Sequence, residues 1–374
     1  MRTRKGRPLS RQKLSSAAGF EAGRSHGYRT GCCQSVLQTV VTPAYPVWPV
    51  KVLYICQGFE GIDRGVSEAL SALASELIVG NPADLYRLAS ETRPDLVLVM
   101  NGLHVFPEDH LQMIDLVRSL GLRTAIWFVD DPYFTDFTPQ IALHYDYVFT
   151  HEIGCVDIYR EAGCRQVFCL PLAVSTSIFR PMSVEIGYHS DICFIGNAFP
   201  NRLQFFNQIM PFLAGHKTVI LGALWNHLDR YDQLAGRIKL DWTPIDETVK
   251  YYNGAKIVIN LHRGAVDPVY SKNARQLPGR SINPRTYEMS ACGVLQMTDV
   301  REDLGTFYNP GSELVTYASP AEFIERAGYY LAHEGERNRI AVRGLQRTMR
   351  EHTFMNRLHR MFEIIFNEDQ SPQG

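Results

Sequence analysis

Short apolar runs alternate with amphipathic segments along the chain from residue 51 onward. The apolar runs are rich in Val, Ile and Leu and predict buried parallel strands, while the segments between them have helical spacing. The strands predicted in the first half are Lys51–Gln57, Asp95–Met100, Arg123–Val129, Tyr147–Thr150 and Gln166–Leu170. A helix is predicted over Arg64–Leu77. This alternation is typical of a Rossmann-like domain, a parallel sheet with helices on both faces.

The alternation is interrupted by PLAVSTSIFRPMSVEIGYHS (171–190), whose two prolines and small polar residues indicate an interdomain linker at 176–190. It then restarts with the predicted strands Asp191–Ile195, Lys217–Leu221 and Lys256–Leu261. The sequence therefore predicts an α/β protein with two tandem Rossmann-like domains, 51–175 and 191–374, the second ending in helices. The first strand runs into QGFEGIDRG, whose glycine spacing does not match the dinucleotide-binding fingerprint.

The first 50 residues differ in composition from the rest of the chain. They contain eight Lys and Arg residues and one acid, Glu21, and so carry a net charge of +7. Because the whole chain carries −1, the remaining 324 residues carry −8, which argues against a nucleic-acid-binding surface. We expect a basic extension over 1–50, disordered at least over 1–29, with at most peripheral membrane contact.

The eight cysteines include no C-x-x-C pair, and several lie inside apolar runs such as YICQG and DICFIG. This usage predicts reduced, buried thiols in a cytoplasmic protein and neither a zinc site nor a disulfide framework.

Polar residues follow the predicted strands in both domains. In such folds ligands bind at the carboxyl ends of the strands, and a cleft between two such domains is the expected site. The candidates at strand ends are His104 and Asp130 in the first domain and Gly196, Asn197, Arg202, His262, Arg285 and Glu288 in the second. Structural roles remain open for three of them. His104 could close a loop, Asp130 could end a strand, and His262 could form a loop hydrogen bond.

The segment RTYEMSACGVLQMTD (285–299) combines a short helix with a following strand. Asn283 and Pro284 are favoured at a helix start, and Gly293 at a helix end. Arg285 and Glu288 would then share one helix face. Two interpretations are open: an exposed ion pair, or a helix N-terminus at which Arg285 faces an anion and Glu288 accepts hydrogen bonds from ligand hydroxyls.

Four stretches resemble a known family: FIGNAFPNR (194–202), YYNGAKIVINLH (251–262), NPRTYEMSACGVLQMTDVREDL (283–304) and EHTFMNR (351–357). Together they resemble the CgeB-type spore maturation proteins, a branch of the GT-B glycosyltransferases, over roughly residue 51 to the end. The resemblance implies a GT-B architecture. It also implies that Gly196 and Arg202 hold a donor diphosphate and that Glu288 holds the nucleotide ribose.

The sequence departs from the family pattern at two positions. Asn197 stands where an arginine often follows the glycine, and Arg285 could supply that positive charge. Arg280 stands where the first glutamate of the E-x7-E motif would fall. Metal-dependent transferases of the other fold usually carry D-x-D, which this chain lacks, so no metal or other cofactor is expected.

The resemblance implies a glycosyltransferase, of the retaining hexosyltransferase kind, that uses a nucleotide-diphosphate sugar to modify a surface glycan or protein. His104, Asp130 and Arg285 are the catalytic candidates, and Gly196, Asn197, Arg202, His262, Arg285 and Glu288 the donor-binding ones. Two alternatives remain. Arg280 motivates a catalytically idle GT-B module that binds glycan or nucleotide sugar, and a nucleotide-sugar epimerase would need acid and base residues from both domains.

Overall fold

The computed structural model describes residues 11–267 and 269–367, which form two Rossmann-like domains. The strands of the first sheet are β1 (Trp48–Ile55), β2 (Ala74–Gly80), β3 (Leu96–Met100), β4 (Arg123–Phe128), β5 (Tyr147–Thr150) and β6 (Gln166–Cys169). Those of the second sheet are β7 (Ser190–Ile195), β8 (Thr218–Leu221), β9 (Ile238–Lys239), β10 (Ala255–Asn260), β11 (Leu295–Asp299) and β12 (Val315–Tyr317). The strand orders are β2-β1-β3-β4-β5-β6 and β12-β11-β10-β7-β8-β9, and the paired strands are parallel.

Helices cover both faces of each sheet. They are α1 (Arg11–Thr39), α2 (Glu60–Leu73), α3 (Leu85–Thr92), α4 (His110–Ser119), α5 (Thr138–Ala142), α6 (Val156–Ala162), α7 (Pro200–Ala214), α8 (Ile245–Gly254), α9 (Pro284–Ala291), α10 (Leu304–Phe307), α11 (Pro320–Ala332), α12 (Glu334–Glu351) and α13 (Phe354–Asn367). Each sheet has an apolar core on either side, and all five residues of β3 are buried. Of the helices in the described ranges, none has the length and hydropathy needed to cross a bilayer.

The prediction of one helix over Arg64–Leu77 was wrong at its carboxyl end. Helix α2 ends at Leu73, and the chain passes at once into strand β2. This strand lies at the edge of the first sheet, pairs only with β1 and keeps much of its surface exposed. Its pairing with β1 decides its structure, because tertiary context overrides local helical periodicity.

The structure contradicts the expectation of disorder over 1–29 for residues 11–29, which lie in α1; residues 1–10 lie outside the described residues. Arg29 is buried and donates to the carbonyl of Ala255 at 2.9 Å and to that of Asn253. Cys33 is buried in the core of the second domain beside Gly293. Helix α1 is therefore a part of the second domain and not an extension outside the fold.

The last helix returns to the first domain. Phe354, Leu358, Met361, Phe362 and Ile365 form one apolar face of α13 and pack into the core beneath β1 and β3. The two crossings between domains lie side by side, since Val174 N–H donates to the His352 carbonyl at 3.1 Å. The sequence-based domain 191–374 thus contributes its last helix to the first domain.

Candidate active site

The turn after β3 presents His104 at the carboxyl edge of the first sheet. Asn101, Gly102 and His104 have φ of 65°, 67° and 61°, a left-handed conformation that is uncommon for residues with a Cβ. Asn101 secures the turn, because its Oδ1 accepts from Val129 N–H at 3.1 Å and its Nδ2 donates to Asp130 Oδ2 at 2.8 Å. Contacts to the residues after β4 therefore hold this turn in place.

His104 and Asp130 form a hydrogen-bonded pair. His104 Nε2 lies 3.1 Å from Asp130 Oδ2, and its ring packs edge-on against Phe134. The hydrogen bond to Asp130 raises the pKa of His104, although partial burial acts against it. The result is an accessible imidazole oriented by a carboxylate, which suits proton transfer or the binding of sugar hydroxyls.

The neighbouring Asp131 has a structural role. It is 1% exposed, and its carboxylate accepts from Thr150 Oγ1 at 2.6 Å and from the Tyr159 hydroxyl at 2.7 Å. Burial raises the pKa of Asp131 to about 6, although these hydrogen bonds act to lower it. Of the two adjacent aspartates, only Asp130 reaches His104.

In the second domain, β7 ends in a tight loop at Gly196. A Cβ on Gly196 would lie 3.0 Å from Arg202 Nη1 and 3.3 Å from Arg285 Nη1, so a larger residue would crowd both guanidinium groups. Arg202 Nη1 donates to the Asn197 carbonyl at 2.9 Å, and Arg202 Nε donates to the Leu261 carbonyl at 3.0 Å. Arg202 thus shapes the loop by tying it to the end of β10. Burial lowers the pKa of Arg202 to about 10.

Asn197 is exposed, and its side chain closes the same loop. Its Oδ1 accepts from Ala223 N–H at 3.1 Å, which links the loop to the residues after β8. The structure therefore places Asn197 beside Gly196 and gives its amide a local structural contact. A direct contact of Asn197 with the donor stays a prediction.

Helix α9 begins and ends as the sequence predicts. Asn283 Oδ1 accepts from Thr286 N–H at 3.1 Å as the N-cap, and Pro284 occupies the first turn. Gly293, which has φ of 63°, follows the last turn. The N-terminus of the helix, with Arg285 in its first turn, lies beside Gly196.

Arg285 and Glu288 do not form the exposed ion pair, because no contact within 4 Å joins their charged atoms. Arg285 Nη1 and the neighbouring Tyr252 hydroxyl are both buried and attract each other, and neither has a hydrogen-bond partner outside this pair. Burial raises the pKa of Glu288 to about 7, while the charge of Arg285 acts to lower it. The Arg285 guanidinium and the Tyr252 hydroxyl are thus buried polar groups with no partner outside their pair. Such groups favour the ligand-binding interpretation over the exposed ion pair.

His262 orients the start of α9. Its Nδ1 lies 2.5 Å from Asp299 Oδ1, and its Nε2 accepts from Asn283 N–H at 2.9 Å. Burial lowers the pKa of His262, which keeps Nε2 available as an acceptor. Both ring nitrogens are engaged, so the structure gives His262 the loop hydrogen bond that the sequence left open as an alternative.

Two further arginines lie at the same edge: Arg263, which the sequence places with His262 at a strand end, and Arg301, which we did not select from the sequence. The guanidinium carbon of Arg263 lies 4.2 Å from the ring centroid of Tyr133 in the first domain and 4.3 Å from that of Phe199 in the second. Arg301 donates to Asp299 Oδ2 at 2.8 Å. The Nε atoms of both arginines are buried without a partner. The position of Arg301 directly after β11 is the signal that could have identified it.

The loop between β10 and α9 also contacts the first domain. Glu152 is 1% exposed, and its carboxylate accepts from the backbone N–H groups of Gly154, Arg280 and Ser281 at 3.0–3.1 Å. Ser281 Oγ accepts in return from Ile153 N–H at 2.9 Å. A buried carboxylate of one domain therefore holds the chain that leads into α9 of the other. Nothing in the local pattern around Glu152 marks this role.

Arg280 lies outside the group around Gly196. Its Nε donates to Glu302 Oε2 at 2.7 Å, and its side chain lines a separate cleft with Arg160 and Arg360. No donor-binding candidate lines that cleft. The charge reversal at the first motif position therefore does not place a cation beside Gly196.

The structure brings Gly196, Arg202 and Arg285 into one group in the second domain and leaves His104 and Asp130 as a second group in the first domain. Tyr133, Arg263 and Phe199 stack between the two groups. Within 11–267 and 269–367, no hydrogen bond or ion pair directly joins the His104–Asp130 pair to Arg285 or Glu288.

Two parallel six-stranded sheets that meet at their carboxyl edges, with the last helix returned to the first domain, define the GT-B fold of glycosyltransferases. The comparisons agree with this class. Residues 202–363 match the family model described as "Glycosyl transferase-like". The structure of Anabaena HepE covers 85% of this chain and 100% of its own, with a TM-score of 0.56 at 10% identity. Sucrose-phosphate synthase of Thermosynechococcus elongatus covers 85% of this chain and 99% of its own, with a TM-score of 0.56 at 10% identity.

The chain therefore has the GT-B fold, and residues 202–363 are similar to the glycosyl transferase-like family. Among curated proteins it is similar to Spore protein CgeB of Bacillus subtilis. The two are 29% identical over 316 residues, which are 82% of this chain and 95% of CgeB.

Proposed function

We propose that the protein transfers a hexose from a nucleotide-diphosphate sugar to a surface glycan or protein acceptor, without a metal ion. The observation that carries the proposal is the N-terminus of α9, where the buried Nη1 of Arg285 lies beside Gly196 with no partner other than the Tyr252 hydroxyl, and where burial raises the pKa of the Glu288 carboxyl group to about 7. HepE, which shares the fold, has been crystallised with UDP and glucose. We assign the donor diphosphate to this end of α9 and the loop at Gly196.

The chain supplies positive charge where the leaving group would gain negative charge. As the bond between the anomeric carbon and the phosphate oxygen breaks, the nucleotide diphosphate takes the electron pair. Arg285, the positive end of the α9 dipole and the unpartnered Nε of Arg263 can stabilise that charge. Glu288 would accept hydrogen bonds from the ribose hydroxyls, with Arg202 and Asn197 keeping the loop in shape. These fixed charges are our reason for proposing metal-independent transfer.

We assign His104 and Asp130 to the reacting sugar and the acceptor. For retention, which the likeness of EMSACG to the retaining enzymes favours, the acceptor proton passes to the departing phosphate on the same face. His104 and Asp130 would then hold hydroxyl groups of the donor sugar. For inversion, His104 would instead take the acceptor proton as a general base. The unpaired cysteines support our further proposal of a cytoplasmic location.

The first test is a panel of nucleotide sugars, assayed in EDTA by calorimetry and by release of free nucleotide. We expect one nucleotide series to bind and to be turned over slowly. Glu288→Ala should weaken donor binding about tenfold or more, because hydrogen bonds to a charged group contribute about 1.5–3 kcal/mol. His104→Ala should abolish turnover while binding of the nucleoside diphosphate itself is kept, because His104 is assigned to the sugar and not to the diphosphate.

Glu325→Ala is the matched control, since Glu325 is exposed on α11 of the same domain. Binding without release in the presence of acceptors would indicate the idle binding module. Conversion of the nucleotide sugar without an acceptor would indicate the epimerase. No binding of any nucleotide sugar would refute the proposal, and restoration of activity by Mn²⁺ after EDTA would refute its metal-independent part.

A further inference from the structure

A cleft of about 500 Å³ opens beside His104 in the first domain. It lies between the turn after β3 and the turn after β4, and we call it the aromatic cleft. Phe106, Phe134 and Phe137 line it, and Phe137 is 50% exposed. Because Phe134 also packs against the His104 ring, the apolar wall continues directly into the His104–Asp130 pair.

One buried polar atom of the cleft lacks a partner. His110 is 9% exposed and lines the cleft, and its Nδ1 lies 2.8 Å from the Pro107 carbonyl. A carbonyl only accepts, so Nδ1 carries the proton and the neutral ring offers Nε2 as an acceptor. Nε2 is buried and makes no hydrogen bond. The cleft therefore offers an acceptor to a ligand that brings a hydroxyl or amine donor.

The charges of the cleft disfavour an anion. Its carboxylates are those of Glu108 and Asp136, and neither Lys nor Arg lines it. Asp136 Oδ1 accepts from Ala274 N–H at 2.8 Å, so a contact from the second domain holds this side chain at the cleft. Burial lowers the pKa of His110, which keeps that ring neutral. His104 also lines the cleft, but Asp130 at 3.1 Å balances any positive charge on its ring. A phosphate or carboxylate entering here would therefore meet like charge from Glu108 and Asp136 without an unpaired cation.

We propose that the aromatic cleft binds the acceptor as a saccharide unit that is neutral or amino-substituted and carries no phosphate or carboxylate. The apolar face of the sugar ring would pack on Phe137 and Phe134, and one hydroxyl would donate to His110 Nε2. An adjacent hydroxyl would then reach His104. This inference rests on the proposed function and adds the site and charge class of its acceptor.

The test uses the donor identified by the nucleotide-sugar panel. It compares the acceptor KM of neutral, amino-substituted, phosphorylated and uronic saccharides that share one ring size. We expect transfer to the first two only. Phe137→Ala should raise acceptor KM about tenfold through lost ring packing, with donor KM unchanged. His110→Ala should raise acceptor KM about fivefold through one lost hydrogen bond, and His110→Gln, which keeps an acceptor near Nε2, should restore much of it.

Leu116→Ala is the control for both, since Leu116 is 49% exposed on α4, the helix that begins at His110. Saccharide binding is also measured by NMR, with and without UDP. This measurement does not depend on turnover. Cleft variants whose acceptor KM and saccharide binding match Leu116→Ala would overturn the cleft as acceptor site while transfer itself stands. Preferred transfer to phosphorylated or uronic saccharides would overturn the charge class. If the protein binds no nucleotide sugar, the proposed transferase activity is refuted. In that case the cleft would still be supported as a saccharide-binding site if the wild type binds a saccharide and Phe137→Ala does not.

Discussion

The buried carboxylate of Glu152 should matter for both stability and donor binding, and Glu152→Gln is the sharpest perturbation of it. Glutamine keeps one oxygen and replaces the other by an NH₂ group, which would face the N–H donors of Arg280 and Ser281. Two charge-assisted hydrogen bonds of about 1.5–3 kcal/mol each are then weakened or lost. We expect the free energy of unfolding to fall by about 3 kcal/mol.

That loss should lower Tm by roughly 4–8 °C in a thermal-shift assay, since about 2 °C per kcal/mol is typical of larger chains. Because the affected segment leads into α9, donor Kd measured by calorimetry should rise about tenfold as well. Glu161→Gln is a matched control: Glu161 also pairs across the domains, with Arg275 at 3.1 Å, but both side chains are mostly exposed. Equal Tm and donor Kd in the two variants would refute the role given to Glu152.

Three further results are expected. The folded pKa of Glu288 is about 7 and its ordinary value is 4.5, so the ligand-free protein should lose stability relative to Glu288→Gln as the pH rises from about 4.5 to 7. Because the ionised carboxylate is the better acceptor for ribose hydroxyls, donor affinity measured by calorimetry should rise about tenfold from pH 6 to 8 in the wild type and not in Glu288→Gln. Arg29→Ala removes two hydrogen bonds to backbone carbonyls and should expose α1 to hydrogen exchange, with donor affinity unchanged. Asn283→Ala should cost about 1–3 kcal/mol in denaturant unfolding, because it removes a helix cap and the amide that donates to Asn260 Oδ1 at 2.9 Å.

Each of these has its own comparison. Arg24→Ala on the exposed side of α1 should leave exchange as in the wild type, and equal exchange in Arg29→Ala would contradict the docking of α1 through Arg29. Ser319→Ala removes the N-cap of α11 and should lower stability without changing donor Kd. Asn283→Ala should in addition weaken donor binding, because Asn283 caps the helix end to which we assign the donor, and an unchanged donor Kd would separate the cap from the binding site. If stability and donor affinity depended on pH in the same way in the wild type and in Glu288→Gln, the titrating group would not be Glu288.

Nine of the twelve described strands were predictable from sequence because strands inside a parallel sheet are buried on both faces and appear as continuous apolar runs. The edge strands β2, β9 and β12 were not predicted. The residues of β2 are half exposed and continue the helical spacing of α2, and β9 and β12 have only two and three residues. Helix α1 has no apolar stripe, and contacts far along the chain, such as Arg29 with Asn253, hold it in place. The local sequence pattern does not indicate such long-range contacts.

The residues of the candidate site fall into the same two groups, those whose roles follow from local sequence and those whose roles depend on distant contacts. Helix α9 has local signals, a cap residue, a proline and a terminal glycine, and its bounds followed from them. Arg263 and Glu152 act through partners more than 100 residues distant, Tyr133 and the backbone of Arg280, which only the fold brings near. For His262, the sequence could not decide between ligand and loop contact, because the choice depends on Asp299 and Asn283 occupying its two nitrogens.

The departure at Arg280 leads to a last prediction. Restoring the motif residue by Arg280→Glu should not raise the transfer rate or donor affinity by more than twofold. The side chain at this position lies beside Glu302 and lines the cleft of Arg160 and Arg360, so a carboxylate placed there would not reach the donor. It would instead lie opposite the Glu302 carboxylate and cost some stability, which a thermal-shift assay would report.

Arg280→Gln separates the two effects, because it removes the pair with Glu302 without introducing a negative charge. We expect both variants to bind donor as the wild type does, with the lower Tm in Arg280→Glu. A tenfold gain in transfer by Arg280→Glu that Arg280→Gln does not share would show that the loop brings position 280 to the donor. The native arginine would then be the cause of slow or absent transfer, and the idle binding module would become the better account of this chain.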